Sequence, residues 1–75
     1  MERGPLIRIL KEMEGTEMEL DLLLSGQTAP FEIRNVEEAV ELHSSHGVSI
    51  RTRQNQIWID ASLVAAAYQV RSDGH

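Results

Sequence analysis

The run from Val48 to Val70, VSIRTRQNQIWIDASLVAAAYQV, constrains this chain more than any other stretch. It holds the only Trp and the only Tyr, and it is the longest run able to fill a core. Val48, Ile50 and Thr52 fall on one side of a period-two pattern, and Ser49, Arg51 and Arg53 on the other. Such alternation belongs to a half-buried antiparallel strand. Gln54-Asn55-Gln56 is turn chemistry, since Asn tolerates a left-handed backbone. Ile57-Trp58-Ile59 follows at hairpin distance, with the β-branched and aromatic content of a second strand. Asp60-Ala61-Ser62 then interrupts the run. Leu63 to Val70 is read as a strand after a tight turn. Val64, Ala66, Tyr68 and Val70 share one face; Leu63, Ala65, Ala67 and Gln69 share the other. Small residues on both faces suit a strand covered on both sides. The rival reading is a terminal helix, because Ala65-Ala66-Ala67 has high helix propensity and Asp60 or Ser62 can cap it.

Earlier in the chain, Pro5 suits a first helical turn, and Gly15 suits a stop. Leu6, Ile9 or Leu10, and Met13 recur at helical spacing between them, so Pro5 to Glu14 is predicted to be a short amphipathic helix. From Glu17 to Leu24 the period changes to two. Met18, Leu20, Leu22 and Leu24 face one way, and Glu17, Glu19 and Asp21 the other. Ser25-Gly26-Gln27 is a turn. Phe31 to Arg34 is a second strand with Phe31 and Ile33 inward, and Pro30 marks its start or a sheet edge. Asn35-Val36-Glu37-Glu38 looks like a helix start, with Asn at the N-cap and Glu three residues on. Val36, Ala39, Val40 and His43 would form its buried stripe, and Gly47 its end. The predicted order is helix, strand, strand, helix, strand, strand, strand.

Seventy-five residues make one domain, with 1–4 and 71–75 as tails. A chain of this size buries only ~60% of its unfolded surface. It has no cysteine, so no disulfide or thiolate metal site can reinforce it. Association with copies of itself is the remaining device, and a homo-oligomer is the expectation. The net charge of −5 is unevenly placed. Met1 to Gly47 carries four basic and ten acidic residues, whereas Val48 to His75 carries three and two. The acidic front half weighs against nonspecific binding to nucleic acid. No stretch reaches the ~20 apolar residues of a membrane span. No leader pattern is present, and a cytoplasmic location is the expectation.

Catalytic chemistry is sparse. Ser44 and Ser45 neighbour His43 and His46, but adjacent helical residues do not face each other, and no third group orients them. His43 and His46, at i,i+3 on the predicted helix, reach one metal only if Glu38, Glu41 or another subunit adds a ligand. No glycine-rich phosphate loop is present. Arg51 and Arg53 share one outward strand face. With Trp58 or Tyr68 they would make a platform for stacking bases and holding phosphates. The plainer reading pairs them with glutamates across the sheet.

Two stretches resemble the Sm-like and Hfq-like small β-barrels. PLIRILKEMEGTEMELDLLLSGQ, Pro5 to Gln27, is similar to that family's N-terminal helix and first strand ending in a glycine turn. SIRTRQNQIWIDASLV, Ser49 to Val64, is similar to its second motif: strand, polar turn, strand, tight turn and last strand. Together they cover about half of the chain in the right order. The resemblance implies a ring-forming fold, and it places Arg51, Arg53 and Asn55 where family residues meet RNA. The chain departs from the pattern at two points. The family's Arg-Gly turn is here Arg51-Thr52 followed by Arg53, and the RNA-holding Asp and Asn have no counterpart between Phe31 and Gly47.

The combined expectation is an α+β domain, with a small antiparallel sheet or an SH3/Sm-like open barrel. It carries an N-terminal helix and a second helix inserted mid-chain. Functionally it is a non-catalytic module without cofactor that binds itself or another protein, through strand edges or an apolar helix face. The alternatives are an RNA-binding ring using Arg51, Arg53 and Asn55, and a metal-dependent enzyme using His43 and His46.

Overall fold

The computed structural model describes residues 1–70. It begins with helix α1 (Arg3–Met13), followed by β1 (Glu19–Leu24), β2 (Phe31–Arg34), β3 (Val36–Glu41), β4 (Gly47–Thr52) and β5 (Gln56–Asp60). A single 3-10 turn, Ala61–Leu63, leads into β6 (Val64–Val70). The strands form two antiparallel three-stranded sheets, ordered β2-β1-β6 and β3-β4-β5. The fold is therefore a small α+β arrangement, and α1 is the one α-helix among the described residues. No helix there is long and apolar enough to cross a membrane.

Helix α1 starts at Arg3, so the expected tail at 1–4 already contains helical residues. The expected tail at 71–75 lies outside the described residues. Leu6, Ile7, Leu10 and Met13 are buried, which makes Leu10 rather than Ile9 the member of the stripe. Gly15 adopts φ +77 just beyond the helix, where a side chain would be strained. One core cluster joins this helix face to Leu20 and Leu22 of β1, Ile33 of β2, Val36 and Ala39 of β3, Val48 and Ile50 of β4, Ala61 and Val64. The apolar helix face is thus consumed within the chain.

The second helix expected from Asn35 is absent; that segment is strand β3. Its inward residues, Val36 and Ala39, are three apart, and this spacing imitates a helical stripe. The cause is an irregularity in the ladder: Val36 pairs with Thr52, but Glu38 pairs with Arg51. One extra residue sits on β3, so inward positions recur after three residues rather than two. Asn35 is not a helix cap. It holds φ +57, the left-handed region that Asn tolerates. It separates β2 from β3 and redirects a single run of chain from one sheet to the other. Val40, read as part of the buried stripe, is exposed, and His43 lies in the link between β3 and β4.

Val64 to Val70 extends as the strand reading expected, with Leu63 instead closing the 3-10 turn, and the terminal-helix rival does not form. Asp60 does cap, but it caps the 3-10 turn, accepting from the Ser62 N–H at 2.9 Å. The register slips at Ala65, between the pairs Leu24–Val64 and Leu23–Ala66. Val64 is buried, while Tyr68 and Val70 lie across from Asp21 and Glu19 on the outer face.

Helix α1 also lies along the outer edge of β3. Lys11 Nζ donates to the Ala39 carbonyl at 3.0 Å, and Glu14 Oε2 accepts from the Ala39 N–H at 3.0 Å. The Gly15 N–H donates to the Val36 carbonyl at 3.0 Å. Arg3 Nη1 donates to the Leu42 carbonyl at 3.3 Å and to that of Ser44. Side chains and the helix end therefore satisfy backbone groups that a neighbouring strand would otherwise pair. Leu10 is fully buried where helix and sheets meet. Leu10→Ala is expected to destabilise the fold by about 2–5 kcal/mol, read as a lower urea midpoint with unchanged slope.

Candidate functional site

Four strand edges lack a partner strand in this pair of sheets: β2, β3, β5 and β6. Helix α1 covers β3. Strand β2 is only four residues long and carries Glu32 and Arg34, which blunt it. Strands β5 and β6 remain. They are consecutive in the chain and separated only by the three-residue turn. Trp58 on β5 is 67% exposed, and Leu63, Tyr68 and Val70 are also large, apolar and about half exposed. Ala65 and Ala66 are exposed as well, so β6 is not covered on both sides within one chain. The side chains of β5 alternate: Ile57 and Ile59 pack against the core, while Gln56, Trp58 and Asp60 point outward.

The predicted arginine face has a different environment. Arg51 Nε approaches Glu37 Oε1 at 3.3 Å, and Arg51 Nη1 approaches Glu38 Oε1 at 3.4 Å. The extra residue of β3 sets two glutamates opposite one arginine. Arg53 uses its backbone N–H to bond the Asn35 carbonyl at 3.1 Å, and its side chain is exposed. The Asn55 carbonyl accepts from the Thr52 N–H at 2.8 Å, and the Thr52 hydroxyl accepts from the Asn55 N–H at 2.8 Å. Arg51, Arg53 and Asn55 therefore cluster at one hairpin, with Arg51 already neutralised. Pairs this exposed add little stability, and Arg51→Ala is expected to change the unfolding free energy by less than about 1 kcal/mol in a urea titration.

His43 and His46 lie in the link between β3 and β4 rather than on a helix. His46 lines an open depression of about 660 Å³ with Arg3, Glu41 and Ser62. Its backbone carbonyl accepts from the Ala61 N–H at 2.8 Å. Among the described residues, no three His, Cys, Asp or Glu side chains come together in a way that would hold a metal ion. Ser44 is structural in this link: its hydroxyl accepts from the Gly47 N–H at 3.0 Å. A Cβ on Gly47 would collide with that hydroxyl and press on Leu42, so the tight link requires glycine here.

A group that sequence reasoning missed lies on the outer face of β1. Asp21 was expected outward and solvated, yet it is only 8% exposed. Its Oδ1 is buried and has no hydrogen-bond partner. Glu19 is its neighbour on the same face, Glu32 lies directly across on β2, and Tyr68 across on β6. Arg34 pairs with Glu19 and with Glu32, the latter at 3.3 Å. The Glu19 carboxyl is held above its ordinary range, first by a hydrogen bond with Asp21 and then by burial; Arg34 opposes this, while the charges of Asp21 and Glu32 add to it. The alternation of β1 signalled which face these residues share, but nothing in it signalled that Tyr68 and Val70 of β6 would stand across from them.

No family model, curated protein or solved structure matches this chain.

At the β5–β6 corner, the Asp60 carboxyl is held below its ordinary range by the Ser62 hydroxyl and backbone N–H, against an opposing cost of burial, with a smaller contribution from His46. A depressed carboxyl stabilises the fold above its unfolded value and ceases to do so as pH falls through its folded value. The difference in melting temperature between the wild type and Asp60→Ala is therefore expected to be full above about pH 4 and to shrink below it.

Proposed function

We propose that this chain is a non-catalytic, self-associating module, built as an Sm-like small β-barrel, whose copies join through the edges of β5 and β6. The observation that carries this reading is the contrast between edges. The β3 edge is closed by Lys11, Glu14 and Gly15, with Arg3 bonding the link just beyond it, whereas β5 and β6 are open and, with the turn between them, bear Trp58, Leu63, Tyr68 and Val70. An uncovered, apolar strand edge is a template for pairing with another chain. The apolar helix face is already buried, which leaves strand edges as the route. Small size without disulfides supplies the driving force, since added buried area stabilises a marginal core.

The Sm-like part of the reading draws support from the order of parts. An N-terminal helix precedes the first strand, and β4, a polar turn, β5, a tight turn and β6 follow one another, as in the resemblance carried by Pro5 to Gln27 and Ser49 to Val64. Two unlike edges that pair head to tail make a heterologous contact, which closes into a ring when the rotation permits. Trp58 then lies in the outward row beside Ala66, Tyr68 and Val70 of the next copy. The RNA-binding alternative is weakened because Glu37 and Glu38 occupy Arg51; it retains Arg53 and Asn55.

Light scattering tests the reading. The wild type is expected at a mass of several copies, and six or seven would favour the ring. Trp58→Lys and Ala66→Lys, each placing charge on an open edge, are expected to shift the mass to one copy while leaving the fold intact by circular dichroism. A wild-type monomer at high concentration, or edge variants with unchanged mass, would overturn it. Binding of single-stranded RNA that weakens steeply with salt would instead favour the alternative.

A further inference from the structure

We propose that Glu19 and Asp21 form a proton-binding site, in which the Glu19 carboxyl donates a shared proton to Asp21, and that occupancy of this site governs the seating of β6. The second half rests on the self-association reading, because β6 is one of the two edges used there.

Asp21 Oδ1 is buried and unpartnered, and an acceptor of this kind is costly to leave without a donor. The elements around it offer few donors. On β2, Glu32 faces Asp21, and Arg34 is engaged with Glu19 and Glu32. On β6, Tyr68 lies across from Asp21 and Val70 across from Glu19. On β1 itself, Glu19 is two residues away on the same face. Arg34 occupies Oε1 of Glu19, which leaves the other oxygen for Asp21. A carboxylic acid there donates to Asp21 and at the same time removes one of two like charges. Two ionised carboxylates side by side, with Asp21 buried, repel each other and resist burial. The direction of the Glu19 shift agrees with this arrangement.

The consequence follows from position. The pair lies directly across from Tyr68 and Val70, the outward residues of the open β6 edge. With the proton bound, the outer face of β1 carries less charge, and Tyr68 and Val70 of the paired strand β6 stay packed beside it. Once the proton leaves, water must reach the pair, and β6 is the strand that yields. A glutamate whose folded value lies above its unfolded value stabilises the fold fully below the unfolded value. That contribution is lost as pH rises through the folded value. Stability and edge pairing are thus both expected to fall as pH rises out of the acid range.

The test uses the whole chain and two near-isosteric variants, Glu19→Gln and Asp21→Asn. Each replaces the titrating proton with permanent amide donors while keeping an oxygen for Arg34 or its neighbours. Carbon-detected NMR is expected to give Glu19 a titration midpoint above the ordinary glutamate range, about 4.3. The melting temperature of the wild type is expected to decline relative to both variants as pH rises above about 4.3, the ordinary glutamate value, and through the raised midpoint of Glu19, while the variants' curves stay flatter. The apparent dissociation constant of the assembly is expected to rise several-fold over that range in the wild type only. An ordinary midpoint for Glu19, or variant and wild-type melting curves that run parallel, would overturn the proton site. A chain that is monomeric at every pH but shows the raised midpoint and the diverging melting curves would overturn the self-association reading and the link to assembly, while the proton site would stand.

Discussion

The arrangement depends on helix α1 closing the outer edge of β3. A strand edge presents backbone donors and acceptors that must find partners. Here the Gly15 N–H bonds to Val36, Lys11 and Glu14 bond to Ala39, and Arg3 bonds to Leu42. The contacts follow the helix from its C-terminal end to its first turn, as one strand would follow another. Beneath them, Leu6, Leu10 and Met13 insert into the shared core. One element thereby does two things: it supplies apolar volume to a chain too small to spare any, and it removes one of the edges through which the chain would pair. The edges of β5 and β6 remain open.

The second constraint is the continuity of Phe31 to Glu41 across two sheets. Asn35, with its positive φ, makes the bend, and the extra residue of β3 makes the change of register. The bend brings the two sheets together around the core. The extra residue turns both Glu37 and Glu38 toward Arg51. The charge pattern of this face is therefore a product of strand irregularity. An arginine that reads as an available cation along the chain is in fact occupied, and this tilts the functional reading away from polyanions and toward contacts between strands.

The buried carboxylate of β1 ties these features to solution conditions. Asp21 and Glu19 sit on the same sheet as the open β6 edge, one strand inward from it. Their outward face would be solvated in an isolated hairpin. It is partly closed here because β2 and β6 flank β1 on both sides, setting Glu32, Arg34 and Tyr68 beside it. Charge buried at a strand next to an open edge couples protonation to packing in the proposed reading, since neither can change without moving the other.

Along the chain, local pattern was enough for several elements. Leu6, Leu10 and Met13 at helical spacing, followed by Gly15, specify α1. The alternation around Val48, Ile50 and Thr52 specifies β4. β-branched and aromatic residues specify β5, and the tight turn at Asp60 to Ser62 releases the chain into β6. These elements share one property: neighbouring residues in sequence are neighbours in the force balance that sets their backbone. The segment from Val36 to Glu41 lacks that property. Its three-residue spacing is the same whether it winds as a helix or extends with one residue out of register, and the choice rests with β4 and α1, which bond it from both sides. The arginine face, the histidine pair and the carboxyl pair were likewise visible only as residue types. Whether Arg51 meets Glu37, whether His43 and His46 share a face, and whether Asp21 is buried are set by strands distant in sequence. The chain by itself determined where most strands run and which sides are apolar. Tertiary structure alone decided which edges are covered and which charges are spent, because both depend on long-range pairing that no local periodicity encodes.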